Sequence, residues 1–266
     1  MRSVPWDQAS RSVRRVIDRS DVDGIVVLRL AHGPVNAMDA ELCDALADQA
    51  RDLATDPARA IVLTGSGKAF SAGADLKRIV EGGEEYARRY FAALDGVFRA
   101  WFAVDKPVVA AVNGHAIAGG CILAACADVV LMAEGRGRIG LPELQVGVPF
   151  PRSATEVVRF TAGDVVTRKL VLTSQTHLPE EAVALGLVDE VVPADALEAA
   201  AVQRASALAS TVPPDTFAVA KAHLRRDHTE RIAAAAEEDA AAAELWVRRA
   251  EDGWIANYLA AVTGRR

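Results

Sequence analysis

Apolar residues fall at two spacings along this chain, and the spacing changes between its halves. Residues 24–30, GIVVLRL, form a short β run. Residues 39–56 place Leu42, Ala45, Leu46 and Leu53 at helical spacing, opened by Asp39 as a capping candidate. Residues 58–65 predict a second, buried strand that ends in glycine. A long helix is expected over 84–104, with an aromatic stripe of Tyr86, Tyr90, Phe91, Phe98, Trp101 and Phe102 that reads as core packing. The EGGEE segment before it, 81–85, is expected to be a mobile loop. Residues 107–114 predict a third strand, with Pro107 at its start, where a missing N–H does least harm. A short apolar helix and another strand, 128–134, follow. Strands alternating with helices imply an α/β fold.

From about Arg152 onward the helical spacing dominates, interrupted by VDEVVP at 188–193. Residues 231–249 predict one alanine-rich helix on propensity alone, with Leu245 and Trp246 facing a partner surface on the core or on another subunit. No fixed-period repeat is evident. The change of pattern suggests a core over 1–205 that binds and reacts, and a helical packing region over 206–266.

Half of the 266 residues are apolar, enough for a full-sized core. No apolar run reaches the ~18 residues of a membrane span. The N-terminal stretch, with Arg2, Arg11, Arg14 and Arg15, lacks the apolar core of a secretory signal and reads as the lead-in to a first strand rather than a transit peptide. A net charge of −6, with both signs dispersed, argues against nucleic acid as a partner. Cys43, Cys121 and Cys126 have neither CxxC nor Cys/His metal spacing, so buried thiols and a reducing, cytoplasmic setting are expected.

Three segments could carry chemistry. TGSGKAFSAGADLKRI, 64–79, fails as a P-loop because Val62 stands where a glycine is needed and Ala69 follows Lys68. What remains is a strand, a small-residue loop and a helix start, with backbone N–H groups at 72–74 that a ligand can approach. In NGHAIAGGCILAACAD, 113–128, Gly119 and Gly120 follow a strand and open a helix. Two readings stand for them: N–H donors of an oxyanion hole, or room for tight strand–helix packing. In GLPELQVGVPFP, 140–151, Glu143 is the only carboxylate. It is either a surface ion-pairing residue or an acid/base group whose pKa is raised by apolar surroundings. Asp75 reads as a helix cap, His115 as a packing residue, and Asp128 as structural. Ser71 lacks a paired base.

Taken together and in order, these segments resemble the crotonase superfamily, the enoyl-CoA hydratase/isomerase family. HGPVNAMD (32–39), AFSAGADL (69–76), NGHAIAGGCILAACAD (113–128), LPELQVGVP (141–149) and LTSQTHLPEEAVALGLVDEVVP (172–193) carry the match. The resemblance implies a spiral of ββα units with a helical C-terminal part, and a homotrimer or dimer of trimers. It implies an acyl-CoA thioester as substrate, with CoA part of that substrate and no metal or redox cofactor. By the matched positions, Ala72 and Gly119 would be the oxyanion donors and Glu143 the acid/base. Substrate contacts would come from Val35, Ala37, Ala74, Asp75, Leu76, Lys77, Gly120, Ile122 and Phe150, with 78–102 lining the acyl pocket.

Hydratases of this family carry two glutamates, one in the pattern GGGCE and one in PE. This chain keeps the second as Glu143 and has Ile122 in place of the first. The single carboxylate resembles the family's Δ3,Δ2-enoyl-CoA isomerases, so double-bond migration ranks above hydration of a 2-enoyl-CoA. An acyl-CoA hydrolase and a non-catalytic acyl-CoA binder rank below both.

Overall fold

The computed structural model describes residues 16–264, so the reading of the first fifteen residues lies outside it. In chain order the elements are β1 (Ile17–Val22), β2 (Ile25–Leu30), α1 (Ala40–Asp52), β3 (Ala60–Gly65), β4 (Ala69–Ser71), α2 (Leu76–Phe102), β5 (Val108–Val112), β6 (His115–Ile117), α3 (Gly119–Ala125), β7 (Val129–Ala133), β8 (Ile139–Gly140), α4 (Glu143–Val146), α5 (Arg152–Thr173), β9 (Thr176–His177), α6 (Pro179–Ala184), β10 (Glu190–Val192), α7 (Leu197–Thr211), α8 (Pro214–Ala233), α9 (Ala236–Glu251) and α10 (Trp254–Thr263).

Six strands form a large sheet in the order β1-β2-β3-β5-β7-β10, and four form a small one in the order β4-β6-β8-β9. The β1–β2 pair is antiparallel and the rest of the large sheet is parallel. The chain visits the large sheet, then the small sheet, then a helix, three times: β3-β4-α2, β5-β6-α3 and β7-β8-α4. This is the ββα spiral. No sequence period betrays it because α2 has 27 residues and α3 only 7.

The central strands are buried on both faces, as parallel strands covered by helices must be. Val26 and Leu28 of β2 join the core with α1 and α2, while Ile25 and Val27 face Leu197, Ala201 and Ala205 of α7. The expected boundary after residue 205 therefore falls inside a continuous helix that packs on the large sheet; the chain has no break there.

Two other expectations are corrected, and one element is added. Residues 81–85 are not a separate loop: they lie within α2, which is interrupted only at Gly83 (φ 62°, ψ −155°). The alanine-rich segment is not one helix but two, because α8 ends at Ala233 and α9 begins at Ala236, with Glu237, Glu238 and Asp239 in the new first turn, where acids suit the helix dipole. The hairpin β1–β2 escaped the apolar reading because β1 is largely exposed. Its Asp23-Gly24 turn, with φ of 50° and 77°, was the available signal. No helix among the described residues is long and apolar enough to cross a membrane.

Candidate active site

The small sheet assembles the site. β4, β6 and β8 are adjacent and parallel, so the three segments that leave their C-terminal ends meet at one edge. Those segments are the 72–75 loop, the Ala118–Gly120 turn and Leu141-Pro142-Glu143. Positions separated by about seventy residues of sequence become neighbours through strand pairing alone.

Close backbone contact clamps the loops together. A Cβ on Gly73 would lie 2.8 Å from the Cβ of Ala118, and one on Gly120 would lie 2.7 Å from the Ser71 carbonyl oxygen. The glycine pair thus has two explanations at once. Gly120 permits the approach of α3 to the first loop, and Gly119, as the first residue of α3, has an N–H without an intrahelical acceptor. Ala118 before it is held at φ 55°, ψ −124°, a backbone state costly for alanine, and its N–H donates to the Gly140 carbonyl at 2.8 Å.

On the first loop the bonding pattern separates the backbone N–H groups of 72–74. The N–H of Ala72 donates to the Val35 carbonyl at 3.0 Å, and Ala72 is exposed, so this N–H is committed elsewhere. Ala74, two residues on, is bonded differently. Met38 bridges it in parallel, donating to the Gly73 carbonyl at 2.7 Å and accepting from the Asp75 N–H at 2.9 Å. In that pattern the bonds come from the residues on either side, and the N–H of Ala74 itself points away from Met38. It has no acceptor among the described residues, nor has that of Gly119. The spacing of small residues left 72–74 open; only the bonding pattern selects among them.

Asn36 organises the first loop and was named in the sequence only as part of a motif. It is fully buried at φ 49°, and its Nδ2 donates to the carbonyls of Ser66 and Ala69 at 3.2 and 3.0 Å. Its own carbonyl accepts the Ser71 hydroxyl at 2.8 Å, and Ser71 Oγ accepts the Gly73 N–H at 3.2 Å. Ser71 is thereby structural. Val35 and Lys77 are exposed, Lys77 pairing loosely with Glu81 at 3.6 Å, while Ala37, Ala74 and Leu76 are half-buried. Asp75 caps α2 by accepting the Arg78 N–H at 3.1 Å, and Asp39 caps α1 by accepting that of Leu42 at 2.8 Å.

Glu143 opens α4 and is 7 % exposed, with Oε2 buried and without a hydrogen-bond partner among the described residues. Burial pushes its carboxyl up to about 8, and no neighbouring charge contributes. The ion-pairing reading of this residue is therefore set aside. Ile122, on α3, is 1 % exposed in the core. Cys121 beside it is fully buried, and burial together with the Glu143 charge pushes its thiol well up, so it is no nucleophile. His115 is exposed rather than packed, and its Nδ1 accepts the Arg138 N–H at 3.2 Å.

The C-terminal helices close the site from the same chain. Trp246 of α9 does not face a partner subunit: it is 2 % exposed, stacks on Tyr90 of α2 with ring centroids 5.3 Å apart, and donates to the Pro149 carbonyl at 2.9 Å. Trp254 of α10 donates to the Gln145 carbonyl at 3.3 Å, and the Glu143 charge, after burial, raises the pKa of Tyr258. Phe150 is half-buried against the same core. The Glu143 charge acts on Tyr90, which lies in the 78–102 stretch expected to line the acyl pocket, and on Tyr258, which the sequence did not single out.

Comparison with known proteins identifies the family. The enoyl-CoA hydratase/isomerase family model matches residues 21–253. A protein of Thermus thermophilus named as a candidate enoyl-CoA hydratase is 37 % identical over 225 residues, covering 82 % of this chain and 86 % of its own. The 2,3-dehydroadipyl-CoA hydratase of Escherichia coli is 33 % identical, covering 67 % and 69 %. The crystal structure of human mitochondrial delta3-delta2-enoyl-CoA isomerase superposes with a TM-score of 0.83 at 24 % identity, over 94 % of this chain and 98 % of that one, which is a likeness of fold. With the ββα spiral, the loop edge and the buried Glu143 in the matching order, the chain belongs to the enoyl-CoA hydratase/isomerase family of the crotonase superfamily and is an enzyme of that family.

Proposed function

We propose that this enzyme shifts a double bond from Δ3 to Δ2 in an enoyl-CoA, using one carboxylate and a backbone oxyanion hole. The observation that carries the reading is Glu143, buried and without a second charge acting on it, in a chain whose other family glutamate position holds the buried Ile122. The thioester oxygen accepts the N–H groups of Ala74 and Gly119. In its ionised form Glu143 takes a proton from C2, the negative charge passes through the dienolate to that oxygen, and the same carboxyl returns the proton at C4. Each oxyanion donor is worth ~3–4 kcal/mol in such a transition state. The step needs no metal or redox cofactor, and an apolar enclosure suits it because water would compete for the intermediate. In this reading Val35, Ala37, Leu76 and the exposed Lys77 hold the CoA portion, and Leu94 and Phe98, which border Gly119, hold the acyl portion.

Hydration of a 2-enoyl-CoA is the second reading, favoured by the names of the relatives. The assay that separates them pairs a 3-enoyl-CoA, followed by the gain of conjugated-thioester absorbance, with a 2-enoyl-CoA, followed by its loss. Gain without loss supports isomerisation; rapid loss overturns it. We also propose the homotrimeric assembly expected of the family, with Val219 and Leu224 of α8 exposed on the single chain as interface candidates; light scattering in solution tests it.

A further inference from the structure

The hydroxyl of Tyr90 is a buried polar group without a protein partner. Tyr90 is 1 % exposed on α2, and its Oη makes no hydrogen bond to any described residue. Its neighbours in the aromatic stripe are tied: the Tyr86 hydroxyl accepts the Ala40 N–H at 3.1 Å, and Trp101 donates to the Leu46 carbonyl at 3.0 Å. A buried polar group left unmade costs about 1–3 kcal/mol, which a phenylalanine at this position would avoid.

The placement of Tyr90 says what the hydroxyl is for. Tyr90, Leu94 and Phe98 are four residues apart and share a face of α2. Leu94 and Phe98 border Gly119, lying 3.4 and 3.6 Å from where its Cβ would be. Tyr90 stands one turn further along, ~6 Å from Leu94, toward Trp246 and the segment that carries Glu143 and Pro149. On the proposed acyl-CoA reading it therefore flanks the path of the acyl chain beyond its reacting carbons.

We infer that Tyr90 Oη selects the acyl group, donating a hydrogen bond to a neutral oxygen substituent, a hydroxyl or a carbonyl, about one helical turn from the thioester. The inference rests on the reading of this enclosure as an acyl-CoA pocket. Neutrality follows from the surroundings: burial first, and then the acidic groups Cys43, Glu143, Tyr86 and Asp39, favour the protonated, donating form of Tyr90. A carboxylate there would be buried with acidic groups and no cation acting on it.

Calorimetric binding tests this without turnover. The ligands are hexanoyl-CoA, hexanoyl-CoAs with one hydroxyl at C4, C5 or C6, and adipyl-CoA, each titrated into the full chain and into Tyr90→Phe. The expected result is that at least one hydroxylated ligand binds the parent about tenfold tighter than hexanoyl-CoA. Tyr90→Phe then loses that preference, keeps its affinity for hexanoyl-CoA, and melts at the same temperature or higher. The inference is overturned if no hydroxylated ligand is preferred, if the preference survives in Tyr90→Phe, or if adipyl-CoA binds tightest. A lower melting temperature for ligand-free Tyr90→Phe also overturns it, because the hydroxyl then serves the fold. If even hexanoyl-CoA fails to bind, the acyl-CoA reading falls as well; if hexanoyl-CoA binds and only the preference is missing, the Tyr90 inference falls alone.

Discussion

The N–H of Ala118 donates to the carbonyl of Gly140 at 2.8 Å, and this bond joins the turn that presents Gly119 to the strand that delivers Glu143. The proposed oxyanion donor and the proposed acid/base are thereby held by one short stretch of paired backbone.

In the proposed reaction Glu143 sets the pH dependence. Its carboxyl is pushed up to about 8 by burial, and the ionised form is the proposed base. The kcat/KM for a 3-enoyl-CoA should rise about tenfold per pH unit below that value and level above it. Glu143→Gln should lower kcat by ~10²–10⁴ while acyl-CoA affinity, measured by calorimetry, is kept. The stability sign follows from the raised pKa. The contribution of the buried carboxyl is fully present below its unfolded value and is lost as pH rises through about 8. Glu143→Gln should therefore melt higher than the parent at pH 9, and the difference should shrink toward pH 5.

Ile122→Glu should restore a second carboxylate at the position where hydratases of the family carry one. Hydration of a 2-enoyl-CoA should rise at least about tenfold, since a positioned acid or base contributes ~10² or more. The melting temperature should fall, because the new carboxyl replaces a side chain 1 % exposed. A variant that stays folded and gains no hydration would show that Ile122 does not decide the reaction.

The two glycines of the pair should respond differently to alanine. A Cβ on Gly120 meets the Ser71 carbonyl oxygen at 2.7 Å, which is backbone and clamped, whereas one on Gly119 meets the flexible Met38 sulfur at 3.0 Å. Gly120→Ala should cost about 1–3 kcal/mol in denaturant unfolding, more than Gly119→Ala.

Asp128 supports the fold rather than the reaction. It accepts from Lys221 Nζ at 2.6 Å, Arg225 Nη2 at 3.0 Å and the Val108 N–H at 2.8 Å, anchoring α8 to the start of β5. Lys221 and Arg225 are buried, so Asp128→Asn should cost about 3–5 kcal/mol by stranding their charge. Unfolding in urea would measure it, and at a temperature where the variant is folded the kcat should be near that of the parent.

Much of this protein is decided locally and was legible as sequence. The buried strands β2, β3, β5 and β7 follow from their apolar runs, the caps at Asp39 and Asp75 from short-range hydrogen bonding, and the order of the motifs from their residues alone. The identity of Glu143 and Ile122 likewise belongs to the sequence, and with it the choice between one carboxylate and two. Other features needed the tertiary structure, because they depend on which groups already have partners. Ala72 and Ala74 look alike in SAGAD, and only the pairing with Val35 and Met38 commits one N–H and leaves the other. Trp246 and Tyr90 read as ordinary apolar positions on two separate helices until α9 folds back on α2. The apolar segment around Glu143 left an ion-pairing and a raised-pKa reading both open, and only its burial in the fold decides for the second. Spacing determines which face of an element is apolar; what covers that face, and which polar atoms remain for a ligand, is settled only when the elements pack.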